Sequence, residues 1–168
     1  EVMRLLNERL NTHPYTREWP FLSAGDLPPE RDMTGEPPRV GVFACTCGHT
    51  IAETIDIGAL VERASRWPEV VVSQMFDFAC FPESLAQLQA RIAEDRLNRV
   101  VVAGCSNRTH ESLFQRAVRL AGLNPYLLEV VNLREQCSRV HRQDSPALVN
   151  RKAQELIRLA VGRVLAAQ

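Results

Sequence analysis

The chain is short of several features that mark common classes of protein. Its 168 residues carry 20 acidic and 20 basic side chains, so no net charge is available to attract nucleic acid or an anionic membrane. No apolar run approaches the roughly 20 residues that cross a bilayer, and we expect no signal peptide. These absences predict a cytoplasmic protein that binds no nucleic acid and does not insert into a membrane. Lys152 is the only lysine, which argues against Schiff-base chemistry.

Common cofactor-binding and catalytic motifs are also missing. Gly41 and Gly48 flank the first apolar run without forming G-x-G-x-x-G, and no G-K-[ST] follows, which argues against nucleotide binding. The cysteines form neither the C-x₂₋₄-C knuckles of structural zinc sites nor the closely spaced run of ferredoxins. The segment after Gly104 lacks the second glycine of a nucleophile elbow, and Glu111 stands where a cysteine phosphatase needs arginine.

Proline divides the chain into two parts. Six of the ten prolines precede residue 39, where they prevent regular structure after a short helical stretch over Val2–Leu10. We predict that residues 1–38 form an arm or linker and that residues 39–168 form an α/β domain. The arm either docks on a partner domain or serves as an interdomain linker.

From Arg39 onward, strand-like and helix-like patterns alternate. Four apolar runs of strand length, at 40–45, 69–76, 99–104 and 125–131, each precede a segment with helical spacing. Four strand–helix repeats predict an α/β fold with a parallel sheet. The expected architecture is a flavodoxin-like or Rossmann-like three-layer sandwich whose four strands lie in the order 2-1-3-4.

Five cysteines are present, an odd number that argues against a disulfide framework. Each follows a predicted strand: Cys45 and Cys47 the first, Cys80 the second, Cys105 the third and Cys137 the fourth. Open α/β sheets bind ligands at the carboxyl ends of their strands, so we expect one shared site. Four thiolates suit either tetrahedral zinc or an iron–sulfur cluster, with one cysteine left over. The alternative is that the cysteines fill core space, as unpaired cysteines often do.

Five blocks of the sequence carry a family resemblance. They are VGVFACTCG at 40–48, LNRVVVAGCS at 97–106, HE at 110–111, AGLNPY at 121–126 and NLREQCSRVH at 132–141. Together they resemble the amino-terminal domain of the A subunit of heterodisulfide reductase and its bacterial relatives. The match runs from about Arg39 to the C-terminus. It departs from the family pattern at Thr46, Asn107 and Arg139, where histidine, proline and tryptophan are usual.

The resemblance implies a redox function. It implies that Cys45, Cys47, Cys80, Cys105 and Cys137 include the ligands of a [4Fe–4S] cluster. In the family this domain precedes flavin and ferredoxin modules, so FAD is expected only in a partner domain or subunit. The implied function is electron transfer as part of an oxidoreductase, with no turnover by the isolated domain. Two alternatives are a thiol-based redox or sulfur-handling module that uses Cys105, and a non-catalytic scaffold domain of a redox complex.

Overall fold

A computed structural model describes residues 27–167, so the predicted helix over Val2–Leu10 and most of the predicted arm lie outside it. Strands and helices alternate as the sequence predicts. The strands are β1 (Val40–Cys45), β2 (Val70–Phe76), β3 (Arg99–Gly104) and β4 (Leu128–Asn132). The helices are α1 (Ile57–Ala64), α2 (Pro82–Glu94), α3 (Asn107–Leu120) and α4 (Pro146–Ala166). A short 3₁₀ turn, Pro125–Leu127, precedes β4, and a π-helical turn, Arg134–Ser138, follows it.

The four strands pair in parallel in the order β2-β1-β3-β4, which confirms the predicted fold class. β1 lies between β2 and β3, and all six of its residues are buried. A parallel strand covered on both faces has no solvent side, which is why Val40–Cys45 reads as one continuous apolar run. The chain adds β2 on one side of β1 and then β3 and β4 on the other. The direction of strand addition therefore reverses between β1 and β3.

Two helices cover each face of the sheet. Side chains alternate along β1, so Val42 packs with the core under α1 and α4, whereas Phe43 packs with the core under α2 and α3. We call these two sides the α1/α4 face and the α2/α3 face. Together with the sheet they form the predicted three layers. Among residues 27–167, no helix combines the length and the hydropathy that crossing a bilayer requires.

Helix starts lie at the carboxyl edge of the sheet, and local residues fix them. The Asp56 carboxylate accepts from the Ala59 N–H at 2.9 Å and caps α1. The Ser145 hydroxyl accepts from the Leu148 N–H at 3.4 Å at the start of α4. Pro82 occupies the first turn of α2, where its missing N–H costs nothing.

Both ends of the described chain lie at the amino edge of the sheet. The Arg31 N–H donates to the Gly122 carbonyl at 2.8 Å, after the end of α3, and the Arg31 guanidinium donates to the Leu97 carbonyl at 3.0 Å. At the other end, the Arg99 guanidinium donates to the Val164 and Ala167 carbonyls at 2.8 and 3.1 Å. Residues 27–38 of the predicted arm therefore contact the domain, and the division at residue 38 stays a prediction.

Candidate functional site

Four of the five cysteines line one small cavity at the carboxyl edge of the sheet. Cys45 and Cys47 come from the end of β1, Cys80 from the loop after β2 and Cys105 from the end of β3. The cavity measures about 40 Å³. It lies where the direction of strand addition reverses, which is the position at which open α/β sheets bind ligands. We call it the cysteine cavity.

Cys137 lies elsewhere, in the core of the α1/α4 face. Its side chain has no exposed surface, and its Sγ lies 3.5 Å from the Val149 carbonyl oxygen. Leu133 and Cys137 stand four residues apart on the turn after β4, so they share one side of it and both pack into this core. The structure thus brings together four of the five predicted site residues and places Cys137 among core residues.

The sulfur of Cys45 has hydrogen-bond donors already in place. It accepts from the backbone N–H of Cys47 at 3.2 Å and from that of Ala79 at 3.3 Å. Burial raises the pKa of the Cys45 thiol, and the two N–H groups oppose that rise because they stabilise the thiolate. Backbone donors of this kind hold a ligating sulfur in position and temper its negative charge.

The loop that carries Cys47 has an unusual backbone. Cys47, Gly48 and His49 have φ angles of 54°, 57° and 80°, all in the left-handed region. That conformation costs roughly 1–2 kcal/mol for each residue with a side chain. The Gly48 N–H donates to the Asp77 carbonyl at 3.0 Å, which joins this loop to the one after β2. His49 is exposed and is not among the residues that line the cysteine cavity.

A stacked pair of aromatic rings holds the loop after β2. Phe78 and Phe81 have ring centroids 4.6 Å apart with an angle of 17° between their planes. The Phe78 ring lies against Gly48, since a Cβ added to Gly48 would be 2.3 Å from the Phe78 Cζ. Because β2 is the edge strand, this inward curl is needed to bring Cys80 to the cysteine cavity.

Arg134 contributes a positive charge to the cavity wall. Its Nη1 donates to the Cys47 Sγ at 3.3 Å, and its Nε donates to the Glu135 Oε1 at 2.6 Å. The sequence places Arg134 in the same loop region as a predicted ligand, where an arginine could stabilise thiolates, face a partner or form part of a solvated rim, and the structure shows which sulfur the guanidinium contacts. The contact arises because the turn that buries Leu133 and Cys137 directs Arg134 toward the cavity.

Burial is the largest cause of the pKa shifts of Cys80, Cys105 and His110 in the cavity. It raises the pKa of Cys80, and it raises the pKa of Cys105 to about 11, against the opposing charge of Arg134. Burial and the Arg134 charge both lower the pKa of His110, which also lines the cavity. The Cys105 thiol is therefore protonated at neutral pH when no metal is bound. Metal binding would displace its proton.

The spacing of the thiols distinguishes a site for a single metal ion from a site for an iron–sulfur cluster. Within residues 27–167, no three His, Cys, Asp or Glu side chains converge closely enough to hold a single metal ion. An iron–sulfur cluster needs wider spacing, because its ligands bind different iron atoms of a larger body. The four-thiol donor set fits a cluster better than one ion.

A larger groove on the α1/α4 face lacks this chemistry. It measures about 690 Å³, but none of the cysteines lines it. Its charged side chains already have partners: Arg142 pairs with Glu53, the His141 Nδ1 lies 2.6 Å from the Asp144 carboxylate, and Asp56 caps α1. We therefore place the functional site at the cysteine cavity.

Comparison with known proteins connects this domain to one family. No protein-family model matches the chain. The A subunit numbered 2, an iron-sulfur subunit of the CoB–CoM heterodisulfide reductase of Methanopyrus kandleri, is 44% identical over 131 residues, which cover 78% of this chain and 20% of the relative. The A subunit of the H(2):CoB-CoM heterodisulfide,ferredoxin reductase of Methanothermobacter thermautotrophicus is 45% identical over 134 residues, covering 80% and 20%. The A subunit of the ferredoxin/F(420)H(2)-dependent CoB-CoM heterodisulfide reductase of Methanosarcina acetivorans is 44% identical over 125 residues, covering 74% and 16%.

These matches extend over most of this chain but over a small part of each relative. The chain spans about a fifth of the length of the first two relatives. Identity above 40% over such a length confirms the resemblance carried by the sequence blocks. The chain contains a domain of the family formed by the A subunits of heterodisulfide reductases.

Proposed function

We propose that this domain is an electron-transfer module that holds a [4Fe–4S] cluster on Cys45, Cys47, Cys80 and Cys105. The observation that carries the proposal is the convergence of these four thiols, from three different loops, on one cavity. The name of the Methanopyrus kandleri relative, which describes an iron-sulfur subunit, supports an iron–sulfur cofactor. We assign Cys137 a structural role, because it is buried on the other face.

The residues around the cavity suit a cluster that stays attached during electron transfer. A bound cluster supplies one-electron oxidation and reduction. The backbone N–H groups of Cys47 and Ala79 donate to the Cys45 sulfur, and Arg134 donates to the Cys47 sulfur. Val102 and Phe114 form apolar wall, which limits the access of water. Hydrogen bonds to sulfur and exclusion of water are the main means by which a protein tunes such a site.

The other functions that the sequence left open have less support. Thiol chemistry through Cys105 needs a thiolate, whereas burial raises the pKa of this thiol to about 11. A single zinc ion needs tighter convergence of ligands than residues 27–167 provide. A scaffold without a cofactor leaves four buried or half-buried thiols at a ligand-binding edge without a purpose.

The partners are proposed on the family resemblance. We propose that the domain exchanges electrons with flavin-containing and ferredoxin-like domains or subunits of a heterodisulfide-reductase-like assembly. The half-exposed rings of Phe78 and Phe81 lie beside Cys80 and offer an apolar contact next to the site. A reduced ferredoxin added anaerobically to the iron-loaded domain should pass one electron to it.

Iron and sulfide analysis of anaerobically prepared protein tests the cluster. We expect about four irons and four sulfides per chain. Substituting alanine for Cys45, Cys47, Cys80 or Cys105 should abolish or sharply reduce this content. Cys137→Ala is the matched control: it removes the same thiol from the other face and should retain the cluster. Circular dichroism checks that each variant is folded. Wild-type protein without iron, or loss of iron in Cys137→Ala alone, would contradict the proposal.

A further inference from the structure

We propose that Arg134 sets the reduction potential of the site by donating a hydrogen bond from its guanidinium to the Cys47 sulfur. This inference rests on the proposed function, because it concerns the cluster that Cys47 would help to hold. Arg134 acts through a ligand, so it is a positioning residue and takes no direct part in electron transfer.

The geometry around Arg134 directs one side of the guanidinium at the sulfur. Glu135 holds the Nε side through its Oε1 at 2.6 Å, which leaves Nη1 3.3 Å from the Cys47 Sγ. Glu135 is itself fixed at the start of the turn, where its N–H donates to the Asn132 Oδ1 at 2.9 Å. The end of β4 therefore determines the position of the guanidinium.

The position of Cys47 is fixed from the other side of the contact. Its left-handed backbone lies between the Thr46 N–H, which donates to the Phe76 carbonyl at 2.8 Å, and the Gly48 N–H, which donates to the Asp77 carbonyl. Both partners of the contact thus belong to constrained segments on opposite sides of the cavity. The contact is therefore held from both sides.

Electrostatics gives the direction of the effect. Reduction adds one electron to the cluster, supplied in the test by dithionite, and it breaks no bond and requires no proton. A cation beside a ligand sulfur stabilises the more negative, reduced form more than the oxidised form. The Arg134 side chain is only 23% exposed, so water screens its charge weakly. Arginine keeps its proton at all accessible pH values, so the charge is permanent.

Glu135 should counteract part of this effect. One of its carboxylate oxygens pairs with Arg134, while Oε2 is buried and has no hydrogen-bond partner within the described part of the chain. Its negative charge therefore lies close to the guanidinium and reduces the positive electrostatic potential that Arg134 produces in the cavity. Removing the charge of Glu135 should shift the potential in the direction opposite to removing the charge of Arg134.

Anaerobic redox titration of the iron-loaded protein, followed by its visible absorption, provides the test. At a fixed ambient potential, Arg134→Gln should lower the ratio of reduced to oxidised cluster by about tenfold or more, equivalent to a downward shift of about 59 mV for one electron. Arg134→Lys keeps the charge and should restore part of the shift. Glu135→Gln should raise the ratio. The matched control is Arg108→Gln, which removes an exposed positive charge after Cys105 and should change the ratio far less.

Each result distinguishes this inference from the function on which it rests. Iron-loaded Arg134→Gln with the wild-type potential overturns the role of Arg134 and leaves the cluster proposal standing. Equal shifts in Arg134→Gln and Arg108→Gln also overturn it, because the effect would then be one of net charge. Wild-type protein that assembles no cluster overturns both proposals. If Arg134→Gln fails to load iron, the reduction potentials of Arg134→Lys and Glu135→Gln provide the test. Wild-type potentials in both variants overturn the inference. A higher reduction potential in Glu135→Gln supports it.

Discussion

Gly48→Ala should destabilise the protein and open the cysteine cavity at the same time. Gly48 has a φ of +57°, and an added Cβ would lie 2.3 Å from the Phe78 Cζ. The clash is relieved by movement of the Phe78 ring, because this ring is the end of a half-exposed side chain. The backbone at Gly48 is less free to move, because its N–H donates a hydrogen bond to the Asp77 carbonyl. Moving this ring breaks its stacking on Phe81.

The magnitude follows from two contributions. A side chain in the left-handed region costs about 1–2 kcal/mol, and the loss of an aromatic pair costs about 0.5–1.5 kcal/mol. Together they lower the free energy of unfolding by about 1.5–3.5 kcal/mol. Gly35→Ala is the matched control. Gly35 has a φ of +78° but no heavy atom within 4 Å of an added Cβ, so only the first contribution applies.

Urea unfolding of the iron-free protein measures both variants. Gly48→Ala should unfold at lower urea than Gly35→Ala, with a difference of about 1 kcal/mol in the free energy of unfolding. Alkylation should speed up by a larger factor at the cavity thiols than at Cys137 in Gly48→Ala, because Phe78 lines the cavity, whereas the fully buried Cys137 reacts only when the fold opens. Equal destabilisation by the two substitutions, with wild-type alkylation rates, would refute the role of the Gly48–Phe78 contact.

Three further predictions follow from other residues. Asn98→Ala should lower the free energy of unfolding by about 2–4 kcal/mol. The Asn98 side chain is only 1% exposed; it accepts from the Arg39 N–H at 2.7 Å and donates to the Pro37 carbonyl at 2.9 Å. Alanine would leave both backbone groups without a hydrogen bond. Wild-type stability in a urea titration would contradict this. Gly162→Ala should raise the free energy of unfolding by about 0.5–1 kcal/mol, because Gly162 lies inside α4 with open space around it; a loss of stability in the same titration would count against it. In iron-free protein, the alkylation rate of Cys105, followed by mass spectrometry, should still rise with pH above about 9 and level off only near its pKa of about 11, because the thiolate is the reactive form. A plateau near the ordinary thiol pKa of about 8.5 would show that burial does not raise it.

The sequence predicted the sheet and the alternation of strands with helices because those features depend on local chemistry. Two strands, Val40–Cys45 and Arg99–Gly104, have the predicted bounds, since each is a continuous apolar run in the middle of the sheet. β4 is shorter than its pattern suggests. Asn124 accepts from the Tyr126 N–H at 2.9 Å, and the resulting 3₁₀ turn takes up three residues that the pattern assigns to a strand.

The candidate site was partly predictable. The sequence placed five cysteines at one edge of the sheet, because an apolar run shows where a strand ends. It could not show on which face of the sheet each side chain lies after the strand has ended. The turn that follows β4 rotates Cys137 into one core and Arg134 toward the other. The left-handed backbone at Cys47 and the contact between Arg134 and sulfur depend on neighbours distant in sequence, which no local pattern records.

The placement of both described chain ends at the amino edge has a consequence for attachment. The strands between the two edges are about 20 Å long, so a linker or affinity tag joined after residue 167 starts about that far from the cysteine cavity. A domain immobilised on an electrode by such a tag would turn its cysteines away from the conducting surface and toward the solution. A redox partner fused at that position would have to reach around the sheet, whereas a separate protein can approach the cysteine edge directly.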